Sequence, residues 1–205
     1  MRAAVLGHVE WVEFVRVDRL PVAGEIARAT DAWDGPAGGG AVAAAQLAKL
    51  ARGAVLYTAL GDDDRGRRVQ ALLHAEGVRV AAVTRSEATR RAVTFVDESG
   101  ERTITVIGPR LEPRADDPLP WDSLPDIEAV YVCAADPAAI RLARRARVVV
   151  ASSRIIVPAL AEAAIELDAI VGSARDPSEV YRDGDLDPSP RLVVRTEGIA
   201  GGTYR

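Results

Sequence analysis

Gly35-Pro-Ala-Gly-Gly-Gly-Ala-Val-Ala-Ala-Ala-Gln-Leu-Ala-Lys-Leu50 decides how this chain is read. Gly38, Gly39 and Gly40 stand directly before the largely apolar run Ala41–Leu50, so a glycine triplet opens an alanine-rich helix. Without a Cβ, such a segment takes φ > 0 freely and lets a polyol or a phosphate approach bare backbone. The helix behind it adds undonated N–H groups and a partial positive charge. The same triplet also suits a flexible loop ahead of a buried helix, so its neighbours must decide between the two.

Upstream, Ala3–Gly7 reads as a short buried strand, and downstream a second strand covers 54–59, followed by a helix over 64–76. Val12–Val17 and Glu25–Trp33 alternate enough to predict two strands of a lid-like excursion over 11–34. Residues 79–107 predict further strands, with a hairpin at Ser99-Gly100. Residues 108–127 carry five prolines and several acids and read as an irregular connection. The rhythm resumes with a strand at 129–133, a helix at 137–146, a strand at 147–151 and a helix at 158–167. A strand at 168–172, a helical turn near 177–182 and a strand at 191–195 complete it. Regular alternation of this kind predicts an α/β fold, a mostly parallel sheet wrapped by helices, in a single domain over 1–205.

Composition agrees. The 205 residues suffice for one domain with a real core, 48% of them hydrophobic and 27% charged. A net charge of −4 supplies no basic footprint for nucleic acid. The single cysteine, Cys133, excludes an internal disulfide and suits a reducing cytoplasm. No long apolar stretch precedes the first strand and no window reaches the length of a membrane span, so neither a signal peptide nor a membrane partner is expected.

Several side chains offer chemistry. Glu10 follows the first strand, and strand ends in open α/β sheets face the ligand crevice. Asp62-Asp63-Asp64 could gather a hard cation, but capping the helix that starts near Asp64 is the favoured reading. His8 and His74 are too few and too far apart in the chain for a zinc site. Cys133 lies in an apolar strand and reads as buried and inert. Trp11 and Trp33 either cover a ligand or pack the excursion's strands together.

Five stretches in this order carry a resemblance: RVDRLPVAGE (16–25), GPAGGGAVAAAQLAKLA (35–51), ALGDDDRG (59–66), LLHAEGV (72–78) and FVDESGERT (95–103). Together they resemble the PfkB, or ribokinase-like, family of carbohydrate kinases. The resemblance implies a central mostly parallel sheet with a small β-lid, drawn from about 11–34 and 88–107, and a possible homodimer through that lid. It implies ATP and Mg2+ as cofactors and phosphoryl transfer to a hydroxyl of a sugar-like small molecule. Carried over residue by residue, it places the acceptor at Gly38, Gly39, Gly40 and Arg154, with Glu10, a polar residue close to the family's sugar-binding position, orienting it. The nucleotide would meet Ser173, Asp176, Thr196, Gly198 and Gly201. Ser173 and Asp176 stand where the family has an Asn and a Glu, and Val193–Gly198 resembles its strand-Thr-x-Gly turn.

Three departures bear on activity. Val12 stands where the family has a sugar-binding aspartate, and Ala43 stands where it has an asparagine. The family's catalytic Gly-Ala-Gly-Asp occurs nowhere in these residues. Gly201-Gly202 signals a hairpin whose returning strand has only three residues left, which predicts a C-terminally incomplete domain. This chain alone is therefore expected to be inactive as a kinase, with no catalytic base assigned. The alternative is a non-catalytic small-molecule-binding or regulatory protein on the same fold.

Overall fold

The computed structural model describes residues 2–51, 53–154 and 156–205. In chain order these residues form β1 (Ala3–Leu6), β2 (Glu10–Arg16), β3 (Asp31–Ala37), α1 (Gly38–Leu50), β4 (Ala54–Gly61) and α2 (Asp64–Ala75). Then come β5 (Val78–Arg85), β6 (Arg91–Val96), β7 (Arg102–Ile107), β8 (Ala129–Val132), α3 (Pro137–Ala143) and β9 (Val148–Ser152). The last elements are α4 (Val157–Ala163), β10 (Ala169–Ser173), β11 (Val193–Thr196) and β12 (Gly202–Tyr204). Short 3-10 helices lie at Trp121–Asp126, Pro177–Glu179 and Gly198–Ala200.

Eight strands build the main sheet in the order β12-β11-β10-β9-β8-β1-β4-β5, parallel throughout except for β12. β1 sits near its centre, buried on both faces, as expected of an all-apolar strand between two parallel partners. Alternate residues feed two cores. Ala4, Leu6, Val55 and Tyr57 point to the side covered by α3 and α4, and Val5, Leu56 and Leu60 to the side covered by α1 and α2. On this second side Tyr131, Val150, Val171 and Val194 remain only half-buried.

A second sheet of four strands, ordered β3-β2-β6-β7, holds the lid-like segments of the sequence. β6 and β7 form the expected hairpin, whose turn Asp97 closes by accepting from the N–H groups of Ser99 and Glu101. One boundary moves. The strand expected over Glu25–Trp33 is instead β3, Asp31–Ala37, paired along its length with β2. Glu25 is used locally, where it pairs with Arg19 and accepts from Val22 N. Pro36 is tolerated because β3 lies on the sheet edge.

The proline-rich connection is irregular, as read, yet firmly anchored. Trp121 stacks on Tyr57 at 5.2 Å between ring centroids. Its indole N–H donates to Asp117 O, and Asp117 pairs with Arg85 of β5 at 2.7 Å. Both tryptophans of the excursion pack. Trp11 is buried under the Arg68 guanidinium and donates to Asp34 Oδ2, while Trp33 stacks on Phe14. No helix among the described residues is long and apolar enough to cross a membrane.

Candidate functional site

β1 ends at Leu6, and within four residues the chain has entered β2 of the other sheet. The turn is fixed by Gly7 N donating to Tyr57 O and by Cys133 N donating to Leu6 O. His8, Val9 and Glu10 therefore lie at the junction of the two sheets, at the carboxyl end of a central parallel strand, where open α/β sheets hold ligands.

The glycine triplet starts α1 on this junction. Gly40 N donates to His8 O at 3.0 Å, and a Cβ at Gly40 would lie 2.6 Å from that oxygen. Gly38 has φ +82°, and a Cβ there would lie 3.2 Å from Glu10 N. Gly39 is the exposed member of the three, with Cys133 Sγ behind it. Gly38 and Gly40 are thus glycine for conformation and close packing, and Gly39 offers bare backbone at the amino end of a 13-residue helix.

The electrostatics are set by residues from distant parts of the chain. Glu10 is 8% exposed. Arg90, just before β6, brings its Nε within 3.2 Å of Glu10 Oε1, and His8 Nε2 lies 3.6 Å from the same oxygen. Arg90 is positioned through its neighbour: Thr89 N and Oγ1 both donate to Asp63, which also accepts from Gly66 N as the cap of α2. Burial pushes the Asp63 carboxyl up, but these donors outweigh it and leave the carboxyl below its ordinary value. Burial, with Arg110, Arg90 and Arg154 adding to it, drives His8 down to about 4, so it is neutral at pH 7. Three buried nitrogens here have no hydrogen-bond partner: His8 Nδ1, Arg90 Nε and Arg110 Nε. Arg90 Nε is close to Glu10 but is not aligned for a hydrogen bond to it. Burial also pushes the Cys133 thiol up to about 12, which leaves it a poor nucleophile.

A second cluster occupies the carboxyl ends of β9, β10 and β11. Glu179 organises it, accepting from Ser173 N at 2.9 Å and Arg154 Nη1 at 3.0 Å, while its carbonyl receives the Ser153 hydroxyl. Asp176 accepts from Ser178 N and Oγ and lies 4.0 Å from Arg154. Ser173 and Thr196 are register partners on β10 and β11, and Gly198 and Gly201, both at positive φ, shape the turn into β12. Beneath lies a cavity of about 90 Å³, lined in part by Tyr181 and Arg195. Tyr181 Oη and Arg195 Nε have no partner, and ordered water would satisfy them.

The sequence-predicted residues therefore fall into two groups. Glu10, Gly38, Gly39 and Gly40 meet at the junction, and Ser173, Asp176, Thr196, Gly198 and Gly201 lie around the β10 and β11 ends. Arg154 joins them, bonded to Glu179 and close enough to act on His8. Asp63 caps α2, Asp64 pairs with Arg67, and no metal-ligating group of three His, Cys, Asp or Glu occurs among the described residues. Sequence reasoning missed Arg90, Arg110 and Glu179. Nothing local marks them, since the arginines are two of many and Glu179 follows the motif position Asp176 by three residues.

The family model described as "pfkB family carbohydrate kinase" matches residues 2–179. No curated protein sequence matches the chain. Among solved structures, ribokinase from Thermotoga maritima is similar at TM-score 0.76 and 19% identity, over 99% of this chain and 74% of that one. Ribokinase from Arabidopsis thaliana, complexed with ribose and ATP, gives 0.66 and 19%, over 98% and 73%. Phosphofructokinase-2 from Escherichia coli, in complex with fructose-6-phosphate, gives 0.69 and 18%, over 99% and 76%. These likenesses show the fold.

Proposed function

Because this chain belongs to the pfkB family of carbohydrate kinases, we propose that it serves ATP-dependent phosphoryl transfer to a hydroxyl of a sugar-like small molecule. The observation that carries this reading is the junction where the amino end of α1, buried Glu10 and the half-buried Arg90 converge on the carboxyl end of β1. Gly39 and its neighbours would cradle the acceptor, Glu10 would orient it, and Arg154 would link it to the nucleotide side. ATP would meet Ser173, Thr196, Gly198 and Gly201. Asp176 and Glu179, whose carboxylates are now held by Ser178, Ser173 N and Arg154, would be the groups to hold Mg2+, which would neutralise phosphate charge. The second sheet would act as a lid that excludes water. Its exposed Ile104 and Val106 favour a homodimer through that layer. ATP supply and the free thiol suit the cytoplasm.

Phosphoryl transfer is mostly positioning and charge stabilisation, but a group must receive the hydroxyl proton. The one glycine-rich helix start described, that of α1, carries no acid in its first turn. These 205 residues are therefore read as able to bind an acceptor but not to turn it over. The same observation supports the second reading, a binding protein on this fold. The test is a coupled ADP-release assay with Mg·ATP and a panel of sugars, sugar phosphates and nucleosides, alongside calorimetry. Binding without turnover is expected. Turnover above background hydrolysis would reveal a base among these residues, and absence of all binding would remove the acceptor site.

A further inference from the structure

We propose that the acceptor held at the β1–β2 junction carries an anionic group, a phosphate or a carboxylate, and that Arg110 and Arg90 bind it. This rests on reading the junction as the acceptor site. Arg110 follows the turn at Gly108, which has φ +92°, so the end of β7 delivers it to the junction just as the start of β6 delivers Arg90. The three arginines that act on His8 are not equally matched. Arg154 is paired with Glu179, and Arg90 faces Glu10. Arg110 makes no ion pair or side-chain hydrogen bond among the described residues, and its Nε is buried. Glu112 lies nearby, but burial raises its carboxyl above the usual range and it forms no ion pair with Arg110.

Arg110 is half-buried with its Nε sealed from solvent, so that donor calls for an acceptor, and the positive charge it shares with neighbouring Arg90 favours a negative partner. Water or a sugar hydroxyl satisfies the first need and not the second. A planar fork of N–H groups matches the oxygens of a carboxylate or phosphate. His8 adds a complementary feature. With its proton on Nε2, facing Glu10, Nδ1 is left to accept from a hydroxyl. The junction thus asks for a molecule that has a hydroxyl and an oxyanion together.

The experiment is calorimetry on the folded chain with inorganic phosphate and with matched sets: D-ribose, D-ribose 5-phosphate and D-ribonate, and the corresponding fructose and glucose compounds. At least one charged member should bind tenfold or more tighter than its neutral parent, and the phosphate and aldonate arms show which anion is preferred. Arg110→Met should erase that preference, and Arg110→Lys should keep part of it, with circular dichroism unchanged for both. Added salt should weaken the charged ligand and leave the neutral one alone. If neutral sugars bind as tightly as their charged counterparts, or Arg110→Met leaves the preference intact, the anionic inference falls and the kinase reading stands. If neither phosphate nor any panel member binds the folded protein, the junction is not an acceptor site and both fall.

Discussion

Alanine placed at each of the three glycines in turn should separate stability from binding. At Gly40 the added carbon would sit 2.6 Å from His8 O and 2.8 Å from Gly7 C. Both are backbone atoms, held by the bonds that lock the end of β1 into the sheet. Overpacking of this kind costs about 1–3 kcal/mol. Losing the Gly40-to-His8 hydrogen bond adds about 1 kcal/mol. Alanine's better helix propensity returns about 1 kcal/mol. Gly40→Ala should therefore destabilise by roughly 1–3 kcal/mol. Gly38→Ala should cost about 1–2 kcal/mol for a different reason, since an L residue must adopt φ +82° there. At Gly39 φ is ordinary and the nearest atom is Cys133 Sγ at 3.2 Å, so a shift of a few tenths of an ångström accommodates the methyl. Gly39→Ala should stay within about 1 kcal/mol of the parent. Urea unfolding measures the series, with unchanged slopes required for the comparison. Function should run in the opposite order. Gly39→Val should abolish small-molecule binding in calorimetry while the fold persists. A neutral Gly40→Ala, or a Gly39 variant that is the least stable of the three, would refute this packing argument.

His8 should make the protein acid-sensitive. Its folded value, about 4, lies below the ordinary 6.5, so the unfolded chain binds more protons between the two and stability drops as pH falls through that window. The full difference corresponds to roughly 3 kcal/mol, and His8→Gln should flatten the urea midpoint over that range; parallel profiles for the two proteins would contradict it. Asp63→Ala removes a helix cap and two bonds to Thr89, and should cost about 2–4 kcal/mol in urea unfolding. Because Thr89 precedes Arg90, the same variant should also weaken acceptor binding, which Asp62→Ala should not do. Cys133 should resist iodoacetamide at neutral pH until urea unfolds the chain, and rapid native alkylation would show that the floor of the site is open.

What the sequence determined by itself was local in origin. The β-α alternation, the glycine-opened helix, a cap from the Asp62–Asp64 run and the hairpin around Ser99-Gly100 each depend on residues within a few positions of one another. Backbone conformation and hydrophobic period at that range leave few choices. The expected family follows from the order of such local motifs. The tertiary structure decided everything that depends on long-range pairing. The strand expected over Glu25–Trp33 lies instead at Asp31–Ala37, because its register is set by pairing with β2 and not by its own alternation. Arg90 reaches Glu10, and Arg110 acts on His8, across roughly 80 to 100 residues only because the register of β2, β6 and β7 brings the start of β6 and the end of β7 beside the start of β2. Glu179 outranks the motif residue Asp176 because the turn at Pro177–Glu179 aims its carboxylate at Ser173 N and Arg154. An arginine or a glutamate looks like a surface residue in any sequence window. It becomes part of a site when burial strips its water and fixes which charge it must face, and both are properties of the assembled fold.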